Sequence, residues 1–313
     1  MPKTIVITGA SDGIGAAGAR QLHHDGHRVV ITGRSPAKTQ AIAGELGTEC
    51  FLADFTRLDD VRKLAADLDR ACPRIDVLVN NAGGIFGDRA KTADGFEKTF
   101  QVNHLAPFLL TNLLMDTLLI SRASVIQTSS SGARLFGHLN IDDLDHDRDF
   151  TPQLAYGTAK LENILFTREL HARYHARGLS AAAFNPGAVA TSFATASDSF
   201  MRRIYTSRIG RAFMATPQKG ARHSLWLASI RTKWLDLRFW PSQGYRFLLE
   251  IPKECSSPLG GDQSWAFARK LSCKRSLGSV RRSSRQPRCA ISNATHLQLP
   301  LSALRYPEFQ SCR

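Results

Sequence analysis

Short apolar runs alternate with longer amphipathic stretches through the first 230 residues. Such runs are typical of strands buried on both faces of a parallel sheet, and the stretches between them are typical of crossover helices. Strands are predicted at residues 4–8, 28–32, 49–52, 77–79, 124–128 and 180–184. Helices are predicted at residues 14–25, 36–46, 58–71, 96–120, 153–177 and 216–230. Right-handed crossovers then give an α/β fold with a doubly wound parallel sheet, which is a Rossmann fold in three αβα layers.

The composition changes after residue 230. Residues 1–230 carry 26 Lys and Arg against 22 Asp and Glu, whereas residues 231–313 carry 15 against 5. Ser, Arg, Pro and Cys dominate residues 255–288, and neither helical nor strand periodicity persists there. We therefore predict a Rossmann domain over residues 1–230 and a basic, poorly ordered tail over residues 231–313, with a remnant of a last strand at residues 243–250. The abrupt change motivates the hypothesis that this tail is out-of-frame or otherwise foreign sequence.

The sequence carries no recognisable signal for export or membrane insertion. No leader precedes the first apolar run at Thr4, and no apolar stretch approaches the roughly 18 residues that span a bilayer. The six cysteines form no CxxC pair, which favours reduced thiols over a disulfide framework. We therefore predict a cytoplasmic protein without a membrane span.

A glycine-rich segment, TGASDGIG at residues 8–15, joins the first strand to the first helix. Gly9 permits a tight turn, Gly13 lets the backbone approach a pyrophosphate, and Gly15 allows the helix and strand to pack closely. The helix N-terminus adds partial positive charge for a phosphate. The alternative is an ordinary strand–helix turn, but the strand before and the helix after favour a dinucleotide site.

The end of the second strand indicates which dinucleotide binds. An NAD-selective site places an acidic side chain there for the ribose 2′-hydroxyl, but this sequence has Arg34. A guanidinium suits bidentate contact with a 2′-phosphate, and Lys38 lies one turn further on. We therefore predict NADP(H) as the cofactor, with a solvated arginine as the alternative interpretation.

Tyr156 and Lys160 are spaced to share one face of a helix. A phenol titrates near pH ~10, so it acts as a base at neutral pH only when an adjacent cation stabilises its phenolate. A Ser-rich segment, residues 127–132, ends the preceding strand at the edge where open α/β sheets bind ligands. A serine there would orient a substrate carbonyl, or it would only cap a turn.

These segments together resemble the short-chain dehydrogenase/reductase superfamily, in particular its retinol-dehydrogenase-like branch. The resemblance covers about residues 3–230 and rests on several motifs in order. They are TGASDGIG at 8–15, a strand-ending Asp54, NNAGG at 80–84, VNHLAPF at 102–108, the Ser-rich strand end, YGTAK at 156–160 and NPGAVAT at 185–191.

The resemblance implies specific roles for matching residues. Tyr156 would be the general acid/base, Lys160 would lower its pKa, Asn103 would anchor a proton-relay water, and Ser130 would hold the substrate oxygen, with Ser129 as the alternative serine. The implied cofactor-binding residues are Gly9, Ser11, Asp12, Gly13, Ile14, Gly15, Arg34, Asp54, Phe55, Asn81, Ala82, Gly83, Tyr156, Lys160, Pro186, Gly187, Val189 and Thr191.

The predicted function is an NADP(H)-dependent oxidoreductase that transfers hydride between the nicotinamide and a carbonyl or alcohol of an apolar small molecule. Apolar residues in the segment 192–215 favour such a substrate. Alternatives are a catalytically silent NADP-binding sensor or a defective enzyme with an aberrant C-terminus. No metal is predicted, and nucleic-acid binding by arginines of the tail is disfavoured because such runs are usually solvated. The resemblance also implies a homodimer or homotetramer.

Overall fold

Six parallel strands form the sheet in the structure, a computed structural model that describes residues 1–190 and 214–229. The strands are β1 (Thr4–Ile7), β2 (Arg28–Gly33), β3 (Cys50–Leu52), β4 (Val77–Asn80), β5 (Ser124–Thr128) and β6 (Ser180–Phe184). They lie in the order β3-β2-β1-β4-β5-β6. The order reverses between β1 and β4, and the crevice at the carboxyl ends of these strands is where open α/β sheets bind ligands.

Helices cover both faces of the sheet. The helices are α1 (Gly13–His24), α2 (Pro36–Leu46), α3 (Leu58–Ala71), α4 (Lys98–Phe100), α5 (Ala106–Leu113), α6 (Met115–Ile120), α7 (Gly132–Leu135), α8 (Pro152–Tyr174) and α9 (Pro217–Ser229), with a π-helix at Gln101–Leu105 and a 3-10 helix at His175–Arg177. Helix α1 packs against α2 and α9, whereas α3 packs against α5, and α8 packs against the π-helix. The predicted three-layer Rossmann fold is confirmed.

Double-sided burial explains why the strands are apolar throughout. Ile5 in β1 is in register with Val29 in β2 and Val77 in β4, and none of these side chains is more than 1% exposed. Burial of such side chains contributes about 1.5–3 kcal/mol each to folding. The sheet is therefore a rigid base for the loops at its carboxyl edge.

The single long helix predicted over residues 96–120 is wrong. The structure has α4, the π-helix, α5 and α6 in its place. Pro107 accounts for the π-helix, because it has no N–H to donate to the Asn103 carbonyl four residues earlier. The chain instead makes a π-type bond from Ala106 N to Gln101 O, and it resumes an α-helix at Ala106.

Other predicted elements agree with the structure to within a few residues. Every strand is within one residue of its prediction at each end, and α2 and α3 coincide with theirs. The short helix α7 was not predicted, because its four residues carry no periodic signal. The basic tail, the strand remnant at 243–250 and the apolar segment up to residue 213 lie outside the described residues. Within the described ranges, no helix combines the length and apolarity needed to cross a membrane.

Candidate active site

A cavity of about 1050 Å³ opens at the carboxyl edge of the sheet, beside the β1–β4 reversal. Most of the predicted site residues line it. They are Gly9, Ser11, Asp12, Gly13, Ile14, Arg34, Asp54, Phe55, Asn81, Ala82, Gly83, Ser130, Tyr156, Lys160, Pro186, Gly187 and Val189. Gly15 and Asn103 lie behind the cavity wall, and Thr191 lies outside the described residues.

The glycine-rich loop has the shape of a phosphate cradle. Gly9 has a φ of +65°, and a β-carbon there would lie 2.8 Å from Ala82 Cα. A β-carbon on Gly15 would lie 2.4 Å from the Gly9 carbonyl oxygen, so any side chain there would push the helix away from the strand. Asp12 caps α1 by accepting a 2.7 Å hydrogen bond from Gly13 N. The cradle therefore needs glycine where the sequence has it.

Thr8 and Asn81 bind this loop to the loop after β4. The Thr8 hydroxyl accepts hydrogen bonds of 3.0 Å from both Asn81 N and Ala82 N. In return, Asn81 Nδ2 donates to the carbonyl oxygens of Thr8 (2.9 Å) and Gly9 (3.2 Å). The supporting role of Thr8 was not predicted, although a threonine directly after a buried strand is its sequence signal.

Arg34 projects from the end of β2 at the far end of the cavity. Its side chain is exposed, and it makes no ion pair within residues 1–190 and 214–229. Lys38, predicted to assist it, forms a 2.9 Å ion pair with Asp12. Asp54 also lines this end, and its Oδ1 accepts a hydrogen bond from Thr56 N. Arg34 is therefore the cation there that is available to an anionic ligand.

Helix α8 carries Tyr156 and Lys160 into the cavity. Thr151 caps the helix by accepting from Leu154 N (3.1 Å), and Pro152 fits the first turn, where no N–H is needed. Lys160 is 2% exposed, its Nζ donates to Thr128 O at 3.1 Å, and it lies 5.5 Å from the centre of the Tyr156 ring. Burial lowers the pKa of the Lys160 amine to about 7.

The two candidate serines differ in how their hydroxyls are used. Ser129 is buried, and its Oγ donates to the carbonyl oxygen of Lys160 at 2.9 Å. Ser130 Oγ accepts from Gly132 N at 3.1 Å, which leaves its own hydrogen available to a ligand. A β-carbon on Gly132 would lie 3.5 Å from Ser130 Oγ and 3.3 Å from the Tyr156 ring, so these two groups flank the same point. The geometry favours Ser130.

Asn103 is fully buried in the π-helix and does not line the cavity. Its Oδ1 accepts from Gly84 N (3.1 Å), and its Nδ2 donates to Gly84 O (2.8 Å) and Thr99 O (2.9 Å). A β-carbon on Gly83 would lie 2.5 Å from Asn103 Oδ1 and 3.2 Å from Lys160 Nζ. Asn103 therefore fixes the position of the Gly83–Gly84 loop, and Gly83 lies between Asn103 and the Lys160 amine.

The cavity also has an apolar wall that the sequence did not predict, because the apolar residues expected over the substrate were those of segment 192–215. Leu135 and Phe136, at the end of α7, line the cavity and are 61% and 49% exposed. Ile85 and Phe86 line it from the loop after β4. The local signal was an apolar pair between the Ser-rich strand end and Gly137.

This chain is similar to known proteins over most of its length. Residues 3–201 match the short chain dehydrogenase family. Retinol dehydrogenase 14 of Mus musculus is 36% identical over 251 residues, which cover 72% of this chain and 73% of the mouse protein. A Streptomyces sp. (strain C5) protein assigned as daunorubicin C-13 ketoreductase DnrU is 37% identical over 236 residues, covering 72% and 78%. A solved structure of an uncharacterized Mycobacterium paratuberculosis protein matches with a TM-score of 0.66 at 30% identity, covering 87% and 93%.

Proposed function

Because the chain belongs to the short-chain dehydrogenase family, in its retinol-dehydrogenase-like branch, we propose that it is an NADP(H)-dependent carbonyl reductase or alcohol dehydrogenase. One observation carries the proposal. Tyr156 and Lys160 line the same cavity as the glycine-rich loop, one helical turn apart, with the amine buried. A buried amine beside a phenol has a clear use in proton transfer and no evident use in packing.

Two polar features of the cavity support a nicotinamide dinucleotide as its ligand. The Gly9–Gly13 cradle at the start of α1 suits a pyrophosphate, and the buried amine of Lys160 lines the same cavity. When bound, the cofactor supplies or accepts the hydride. The proton transfer and the stabilisation of the substrate oxygen are assigned to side chains of this protein.

Tyr156 is proposed to transfer the proton. In reduction, the Tyr156 O–H bond breaks, its proton passes to the substrate oxygen, and the phenolate that remains is stabilised by the Lys160 ammonium. The Ser130 hydroxyl donates to the same oxygen as negative charge develops there. In oxidation, the proton returns from the alcohol to the Tyr156 phenolate.

NADP(H) is proposed over NAD(H) because of Arg34. Its guanidinium is exposed at the cavity edge, where no ion pair with another described residue competes for it. A 2′-phosphate would accept two parallel hydrogen bonds from it. Lys38 would join only if it left Asp12, so we assign it a minor part.

The proposed substrate is an apolar small molecule with a carbonyl or hydroxyl group. The wall formed by Ile85, Phe86, Leu135 and Phe136 supports this class. Leu135 and Phe136 are exposed there, and an apolar ligand would cover them. The names of the relatives, a retinol dehydrogenase and an assigned daunorubicin ketoreductase, also support it. The cytoplasmic location and the homodimer or homotetramer expected from the sequence stay predictions.

The first test measures cofactor binding to the full chain, with fluorescence as the readout. NADPH should bind at least about tenfold more tightly than NADH, and Arg34→Ala should remove most of that difference, as expected for one bidentate charge pair. Arg148→Ala, at an exposed arginine that does not line the cavity, is the matched control and should bind like wild type.

Turnover is then measured with retinol plus NADP⁺ and with daunorubicin plus NADPH. Wild type should turn over at least one of them, and Tyr156→Phe should bind NADPH normally but lose activity by about 10²-fold or more. Tight NADPH binding without any turnover would favour the catalytically silent alternative. Failure of wild type to bind either cofactor would refute the proposed function.

A further inference from the structure

The main-chain carbonyl of Asn103 has lost its normal helical partner. In an α-helix it would accept from the residue four positions on, but that residue is Pro107, which has no N–H. The side chain of Asn103 is already engaged with Gly84 and Thr99. Because Asn103 is fully buried, its carbonyl must find a donor from another element or remain unsatisfied.

Asn163 on helix α8 provides that donor. Its Nδ2 donates to the Asn103 carbonyl oxygen at 3.0 Å, and its Oδ1 lies 2.9 Å from Nδ1 of His104. A carbonyl only accepts, so the atom of Asn163 that faces it must be the amide nitrogen. The oxygen of Asn163 therefore faces His104, and Nδ1 of His104 must carry the hydrogen.

His104 is well suited to fix this orientation permanently. It is buried among the rings of Phe100, Phe108 and Phe166, whose centres lie 5.9 Å, 6.0 Å and 6.3 Å away. Burial lowers the pKa of His104 to about 4, and the nearby Lys160 also lowers it. The ring therefore stays neutral at physiological pH and keeps a single donor for Asn163.

Asn163 also lies next to the catalytic pair. It is three residues after Lys160 on α8, so the two side chains leave the helix on neighbouring positions of one face. Across the helix interface, Asn103 and Lys160 Nζ both approach Gly83, at 2.5 Å and 3.2 Å from the position of a β-carbon there. Asn163 thus joins the segment that holds Asn103 to the helix that holds Lys160.

We propose that Asn163, oriented by His104, is a positioning residue for proton transfer: it aims the Asn103 carbonyl and holds that segment against Lys160. One lone pair of the carbonyl is taken by Asn163, and the other is left for a water in the proton path. The inference rests on the proposed function, since it gives Asn163 a part in the proton transfer assigned to Tyr156.

The test compares Asn163→Leu with Asn112→Leu. Asn112 is the matched control because its Nδ2 also donates to a helix carbonyl, that of Phe108 (2.8 Å), whereas among the described residues it makes no hydrogen bond to Asn103 or His104. The first readout needs no turnover: the Tyr156 phenolate is titrated by absorbance near 295 nm, as the difference from Tyr156→Phe. Its midpoint should move to higher pH in Asn163→Leu and stay unchanged in Asn112→Leu, because Lys160 is held less firmly only in the first.

The second readout is catalysis. In Asn163→Leu, kcat should fall about tenfold while KM for NADPH stays within about twofold, the size expected for one positioned hydrogen bond. The solvent deuterium isotope effect on kcat should rise, since proton transfer becomes more rate-limiting. A purely structural loss would lower the active fraction without changing the isotope effect or the Tyr156 midpoint.

The outcomes separate the two hypotheses. If wild type turns over no carbonyl or alcohol, the proposed function fails, but the Tyr156 titration still decides the role of Asn163. If the midpoint in Asn163→Leu equals that of wild type, the positioning role is overturned whatever happens to kcat. Should Asn163→Leu not fold, Asn163→Ala removes the same donor with less steric change and is judged by the same criterion.

Discussion

The carboxyl group of Glu162 is buried two residues beyond Lys160 on α8, and neither of its oxygens has a hydrogen-bond partner among the described residues. Burial raises the pKa of Glu162 well above its ordinary range, and the nearby carboxylates of Glu97 and Asp145 raise it further. The Glu162 carboxyl therefore holds its proton to higher pH in the folded protein than in an unfolded chain.

We expect Glu162→Gln to stabilise the protein at pH 8 but not at pH 4. Below the ordinary pKa of glutamate both states of wild type are protonated, so burial of the carboxyl adds no pH-dependent cost. As the pH rises above that value, wild type loses stability by up to about 1.4 kcal/mol for each pH unit until the folded pKa is reached. Urea unfolding at several pH values measures the difference.

The control for this prediction is Glu169→Gln, on the same helix. Glu169 pairs with Arg173, and its side chain is 35% exposed. It should show no gain that grows with pH. A stability difference between Glu162→Gln and wild type that is the same at pH 4 and pH 8 would contradict the raised pKa.

Lys160→Met should separate stability from activity. The unfolded chain keeps the lysine proton up to about pH 10.4, whereas the pKa of the buried amine is lowered to about 7. Between these values the unfolded state binds more protons, so the cost of burying Lys160 is greatest at and below pH 7 and fades as the pH rises to about 10. Cofactor-free Lys160→Met should therefore gain thermal stability over wild type at pH 7, with a smaller gain at pH 9.5, and it should lose turnover.

The control for Lys160→Met is Lys219→Met, at an exposed lysine on α9. That variant should change neither stability nor turnover appreciably. Equal thermal midpoints of Lys160→Met and wild type at pH 7 would mean that the amine is better solvated than its burial indicates.

Thr8→Val should weaken the cofactor cradle. The change keeps the shape of the side chain but leaves the Ala82 N–H without its acceptor, whereas the Asn81 N–H keeps the Val79 carbonyl at 3.1 Å. One unsatisfied group costs about 1–3 kcal/mol. The thermal midpoint should fall, and Kd for NADPH should rise because the loops after β1 and β4 are no longer joined. Thr8→Ser retains the hydroxyl and should lie close to wild type in both measurements, so similar losses in the two variants would argue against the hydrogen bonds.

Periodicity predicts every strand to within one residue at each end because these runs are buried on both faces, and such burial leaves a plain apolar signal. The division of residues 96–120 into α4, a π-helix, α5 and α6 could not be predicted from the sequence. The apolar pattern continues across Pro107, and only the three-dimensional contact with Asn163 shows how the freed carbonyl is satisfied.

The candidate site, too, could be predicted from the sequence only in part. Gly9, Tyr156 and Lys160 were predicted because fixed local spacing carries their roles. The cavity wall at Leu135 and Phe136 was not predicted, since it depends on where a four-residue helix turns. The burial of Glu162 has no local sequence signal either, because a glutamate within a helix is usually exposed.

The two serines at the end of β5 should respond differently to substitution by alanine. Ser130→Ala should lower kcat by about 10²-fold or more with little change in the thermal midpoint, because its hydroxyl hydrogen is available to the substrate oxygen. Ser129→Ala should do the reverse: it removes the buried 2.9 Å bond to the Lys160 carbonyl and should cost about 1 kcal/mol of stability while reducing kcat less. Steady-state kinetics and thermal unfolding of both variants decide between them. If Ser129→Ala loses more kcat than Ser130→Ala, the substrate oxygen is held by Ser129, and the donor bond seen between Ser129 and Lys160 must open during the reaction.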